Sequence, residues 1–176
     1  MARRSQIWLL RLVYLLLLGT VIYPVVLGIQ SSQSLALLQA REQCGRKLNP
    51  SQRFQLDRMQ FEDAPHVRHY LHCFWSRLQL WQDATGFQAH RIVQSFGGER
   101  ILNVEQALPA INGCNAKTRR RASGSGSGSG SRLVTGLVAG SQAVEEWCFR
   151  AFVCVLRTPV GEWYKRHMSD VINGNA

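Results

Sequence analysis

The stretch "EDAPHVRHYLHCFWSRLQLW", Glu62 to Trp81, decides what kind of fold this chain can have. Pro65 is a favoured first helical residue, because its missing N–H would have found no partner there in any case. After it Val67, Tyr70, Leu71, Phe74, Leu78 and Trp81 recur at helical intervals and make one apolar stripe. Polar and basic residues fill the gaps. "DATG", Asp83 to Gly86, supplies the stop.

The flanking segments keep the same period. Ser34 to Leu48 reads as a helix carrying Leu35, Leu37, Leu38 and Cys44, and Pro50 starts a short one that runs to Met59. Gln88 to Phe96 makes a fourth, ended by Gly97 and Gly98. Asn103 can cap a fifth, with Gln106 three residues on, and Pro109 interrupts or kinks it. Ala143 to Leu156 is the sixth. Val144, Trp147, Cys148, Ala151, Phe152 and Val155 share one face of it, while Phe149 and Val153 lie off that face, so burial on more than one side is expected. "TPVGEWYKRHM" follows as a tail with Val160, Trp163 and Tyr164. No strand pattern competes. The fold class is all-α.

Arg3 and Arg4 followed by "LVYLLLLGTVIYPVVLGI" read as a secretory signal over residues 1–28, ending near Gly28, with Gly19 as the alternative cut site. An uncleaved anchor is the rival, since the run is nearly long enough to span a bilayer. Residues 29–176 are then one domain, without stable membrane insertion. The formal charge of +10 does not imply nucleic-acid binding. Arg3, Arg4 and Arg11 leave with the signal, and Lys117, Arg119, Arg120, Arg121 and Arg132 gather beside "SGSGSGSGS". The rest is close to neutral. The basic excess therefore belongs to a loop rather than to one face of the fold. Ser-Gly repeats cannot bury anything. A flexible insertion, native or engineered, is expected at about 118–141.

Five cysteines, Cys44, Cys73, Cys114, Cys148 and Cys154, follow the signal, and an oxidising compartment makes disulfides expected. Cys148 and Cys154 cannot join each other within one helix. Six residues carry the chain about 9 Å along the axis, beyond the roughly 7 Å that a disulfide tolerates. Spacing alone leaves the other pairings open.

"YLHCFWSRLQLWQDATGFQAHRIVQSFG" resembles the central segment of insect odorant-binding proteins of the pheromone-binding and general-odorant type, and "EEWCFRAFVCVLRTPVGEWYKRHM" resembles their final helix and tail. Members of that family carry six cysteines, paired first with third, second with fifth and fourth with sixth. Cys44, Cys73, Cys114 and Cys154 fit the first, third, fourth and sixth positions. His69 and Glu145 stand at the second and fifth, which are bonding partners in the family. The chain is thus similar to reduced-cysteine members. The resemblance implies Cys44–Cys73 and Cys114–Cys154, with Cys148 left as a free thiol. Cys148 is then either a buried apolar residue, as free cysteines commonly are, or a reactive or intermolecular thiol. His69 and Glu145 either meet in a pH-sensitive ion pair between the third and sixth helices or both point to water.

The resemblance further implies about six short helices around an apolar cavity, stapled by two disulfides. It implies a secreted carrier of small hydrophobic molecules, without a cofactor, with a chemosensory receptor as its further partner. Aromatic residues suited to lining a cavity are plentiful: Phe74, Trp75, Trp81, Phe96, Trp147, Phe149, Phe152, Trp163 and Tyr164. The candidate ligand contacts are Tyr70, Phe74, Leu78, Phe96, Leu108, Phe152, Val155 and Trp163. The same residues at helical spacing would also serve as plain core. Enzyme chemistry is not expected, since Ser51, Ser76 and Ser95 lack triad context. His66, His69 and His72 recur on one helix without a completing acidic or cysteine ligand, so no metal is assigned. The alternative to a carrier is an interaction protein with a filled core, acting through its basic Ser-Gly loop.

Overall fold

The computed structural model of the chain describes residue 11 and residues 34–96, 103–124 and 136–174. The expected signal, apart from residue 11, and residues 125–135 of the expected insertion lie outside the described residues. Seven helices are described, with one very short hairpin: α1 (34–45), α2 (Pro50–Asp57), α3 (Pro65–Arg77), β1 (Trp81–Gln82), β2 (Gly86–Phe87), α4 (Ala89–Ser95), α5 (Val104–Gly124), α6 (Gly136–Leu156) and α7 (Pro159–Ile172). The fold is all-α. None of the described helices is long and apolar enough to cross a membrane.

Local chemistry sets the boundaries. Asn49 and Gln52 form a capping box at the start of α2: Gln52 N donates to Asn49 Oδ1 at 2.8 Å, and Asn49 N donates to Gln52 Oε1 at 3.0 Å. Met59, with φ of 58°, turns the chain away after it. Pro65 opens α3 as the sequence predicts. The helix stops at Arg77, however, short of Trp81. Gln79 adopts φ of 57°, and Leu80 and Trp81 leave the helix to enter the hairpin.

In that hairpin Trp81 faces Phe87 and Gln82 faces Gly86. Gly86 has φ of 86°, and a Cβ there would come within 2.7 Å of Asn115 Oδ1. Asn115 reaches across from α5, accepts from Phe87 N at 3.0 Å and donates to Phe87 O at 2.9 Å. A buried side-chain amide thus completes the strand's backbone pairing.

α5 runs through Pro109 without a break. Pro109 lies early in the helix on an exposed face, so the lost backbone bond falls where water can replace it. The helix continues to Gly124, and α6 begins at Gly136 rather than Ala143, so both overlap the ends of the expected insertion. The presumed tail is helix α7, opened by Pro159. Val160, Tyr164, Met168 and Val171 form its buried face.

α6 is the centre of the molecule and packs most extensively against α5 and α3. Its Trp147, Cys148, Phe149, Ala151, Phe152 and Val155 are all buried, so burial on several sides is what the structure shows. Two disulfides join the frame: Cys44–Cys73 ties α1 to α3, and Cys114–Cys154 ties α5 to α6. They close sequence separations of 29 and 40 residues. By loop-closure entropy each is worth about 3–4 kcal/mol. Arg41 adds a two-pronged ion pair from α1 to Asp57 of α2, at 2.8 and 2.6 Å.

Candidate functional site

Where β2, α4, α6 and α7 converge on α3, the core leaves a crevice. Trp75, Phe87, Ile92, Phe96, Phe152, Val155, Leu156, Val160, Trp163 and Tyr164 line it. No charged side chain does. The helical period delivers these residues together. Ile92 on α4 and Phe96 at its C-cap sit four apart, Phe152, Val155 and Leu156 share a face of α6, and Val160, Trp163 and Tyr164 share one of α7. The crevice volume is about 20 Å³, space for roughly one water molecule. The cavity anticipated from the sequence is therefore nearly closed. Aromatic rings meet across it edge-on or tilted: Trp75 with Phe152 at 5.5 Å between centroids, Phe152 with Tyr164 at 5.4 Å, and Phe96 with Trp163 at 4.9 Å.

Val160 and Trp163 also line a groove of about 150 Å³ with Asn103, Gln106, Ala107, Pro159 and Arg166. These two side chains are the partition between groove and crevice. His167 stacks on Trp163 with centroids 5.0 Å apart and meets Phe96 edge-on at 5.4 Å. Burial pushes the His167 imidazole pKa down, against a weaker pull from Asp170.

Of the candidate contacts, Phe96, Phe152, Val155 and Trp163 come together at the crevice. Tyr70 does not. It lines a different crevice, also about 20 Å³, with Arg41, Arg53 and Asp57. Burial raises its phenol pKa. Phe74 sits behind the wall, stacked on Tyr70 at 5.9 Å and edge-on to Trp75 at 5.1 Å. Leu78 and Leu108 are half-buried against the core and line neither crevice. Sequence reasoning placed Trp75 and Tyr164 among the aromatics suited to a cavity but not among the contacts. It missed Phe87, Ile92, Leu156 and Val160. The signals were present: Phe87 closes the "WQDATGF" hairpin, and Pro159 could have marked a helix start carrying Val160.

Charged contacts surround the apolar centre. His69 Nδ1 lies 2.9 Å from Glu145 Oε1, joining α3 to α6, so of the two readings the ion-pair geometry is realised. Asp83 receives hydrogen bonds from Trp81 Nε1 at 2.9 Å and His72 Nε2 at 2.8 Å. Burial alone would raise the Asp83 pKa, but these two bonds outweigh it and hold the carboxyl below its ordinary value. Cys148 is free and fully buried. Burial, helped by the charges of Asp83 and Glu145, pushes its thiol pKa well up. Such a thiol stays protonated and unreactive.

A family model described as "PBP/GOBP family" matches residues 29–158. No curated protein matches the chain, and no solved structure does.

Proposed function

The chain belongs to the PBP/GOBP family, and from that premise we propose that it is a secreted, soluble carrier binding a small hydrophobic molecule, an odorant, pheromone or related semiochemical, between α3, α4, α6 and α7. The observation that carries this reading is the crevice itself. Ten aromatic and aliphatic side chains from five elements face one space without a charged group among them, which is the chemistry of a site for apolar ligands. Ligand entry requires the rings to separate, since small-molecule sites run to roughly 300–1,000 Å³. Phe96, Phe152, Val155 and Trp163 are the proposed contacts, and Tyr70, Phe74, Leu78 and Leu108 become contacts only if the opening spreads beyond the crevice. The two disulfides are consistent with secretion. Delivery to a chemosensory receptor is the corresponding partner proposal.

We also propose that this is a reduced-cysteine member. His69 and Glu145 stand where the resemblance places a bonded pair, and their side chains meet at 2.9 Å. A hydrogen-bonded contact would then take the place of a covalent one between α3 and α6.

The small volume of the crevice favours a second reading, an interaction protein with a filled core acting through its basic Ser-Gly loop. Displacement of an apolar fluorescent probe from oxidised protein by a panel of fatty and aromatic molecules separates the two. Saturable micromolar binding with competition by part of the panel is the carrier's result. Absence of saturable binding by correctly bonded protein would move the assignment to the interaction protein.

A further inference from the structure

Three buried tryptophans surround the centre of the fold, and their indole nitrogens are treated differently. Trp81 Nε1 donates to the Asp83 carboxylate at 2.9 Å. Trp147 Nε1 donates to Asn115 O at 3.4 Å. Trp75 is 3 % exposed, and its Nε1 is buried without any hydrogen-bond partner. Among the described residues it is the one buried side-chain nitrogen or oxygen in that condition. Folded proteins rarely leave such a group unpaired, because it gives up its bond to water for nothing. The rings of Phe74, Phe87, Phe152 and Tyr164 around Trp75 provide at best weak N–H···π contact. The unpaired donor also belongs to the residue that lines the apolar crevice, whereas the two satisfied tryptophans do not line it.

We propose that Trp75 Nε1–H is the polar determinant of ligand choice: the molecule bound in the crevice is neutral and apolar over most of its body, and carries one acceptor oxygen that takes this hydrogen bond. A ketone, aldehyde, ester or ether fits, and an alcohol fits through its oxygen. A plain hydrocarbon leaves the donor as it is. An ionised carboxylate fits poorly, because the wall supplies no cation to replace its hydration. This assignment rests on the carrier reading and refines it.

The test compares a medium-chain methyl ketone with the alkane of the same length, each displacing the same fluorescent probe, in wild type and in Trp75→Phe. The quantity read is the ratio of ketone to alkane affinity, compared between wild type and variant, so that the two compounds' different solubilities cancel. The ratio is expected to fall by about three- to tenfold in Trp75→Phe, the size of one net hydrogen bond. In parallel, the Trp75 indole N–H proton resonance of wild type, assigned through its contacts to Phe87 and Tyr164, should shift downfield with ketone and not with alkane. That second measurement decides the matter should Trp75→Phe fail to fold. An unchanged ratio in a folded variant, or a ketone that binds without moving the resonance, overturns the donor role and leaves the carrier intact. If neither compound nor the probe binds, the carrier reading itself fails, and this assignment with it.

Discussion

Cys148 has the sequence of an odd thiol and the surroundings of a core residue. It is fully buried beside Trp147 and Phe149, and its thiol pKa is raised. Native protein should therefore resist iodoacetamide, with one alkylated site appearing only on unfolding, as read by intact mass. Rapid modification of the native chain would reopen the reactive-thiol reading. Asn115 carries a larger load, because one amide satisfies both backbone groups of Phe87. Asn115→Ala is expected to lose about 2–3 kcal/mol in urea denaturation, the cost of leaving buried backbone groups unpaired. Nothing in the sequence distinguishes Asn115 from a solvated helical asparagine. Its role appears only when α5 crosses β2, so no local pattern could have announced it. His69 and Glu145 show the reverse. Their family positions were enough to suggest a meeting that composition and period could not.

At the scale of elements, the apolar periods of α3 and α4 were legible because a single stripe faces a single core, whereas Leu35 and Leu38 of α1 and Phe54 of α2 are exposed and only Leu37, Cys44 and Leu56 of those stripes are buried. The end of α3 was not legible, since the stripe runs on into Trp81 while the backbone turns at Gln79. The same apolar residue serves helix or hairpin, and the period does not say which. α7 was legible in principle but read as a tail, its Pro159 start passing unused. The corner that launches it depends on Gly161. A Cβ there would stand 2.3 Å from Leu156 O, which is backbone and cannot swing aside. Gly161→Ala should cost about 1–3 kcal/mol by overpacking. Thermal denaturation would show it, together with a loss of near-ultraviolet signal from Trp163 and Tyr164. An unchanged melting temperature would mean that the α6–α7 corner relaxes freely.

For the whole molecule, the candidate site was half legible. Phe96, Phe152, Val155 and Trp163 could be guessed from their stripes. That they converge, and that Tyr70 and Phe74 turn elsewhere, depends on how four helices are arranged. Its response to acid is also a property of the assembly. The folded pKa of His167 lies below the ordinary 6.5 because Phe96, Trp163 and their neighbours bury it. The unfolded chain therefore takes up a proton that the folded one refuses. Stability is then full above 6.5 and declines as pH falls from there through the folded pKa. Urea midpoints should drop between pH 7 and pH 5. His167→Phe should reduce that drop, and an identical drop in the variant would remove His167 as its source.

The two disulfides are not spread evenly. Cys44–Cys73 and Cys114–Cys154 fasten α1, α3, α5 and α6, whereas α4 and α7 have no covalent tie. The crevice lies between these two halves, with a stapled back wall and an unstapled front. Compliance is consequently directional. Under the proposed carrier role, a guest too large for the resting space would be admitted by displacing α4 and α7 while the cross-linked framework keeps its dimensions. In that role the range of guest sizes accepted would be governed by how far two helices can swing, and not by the volume that the empty molecule encloses.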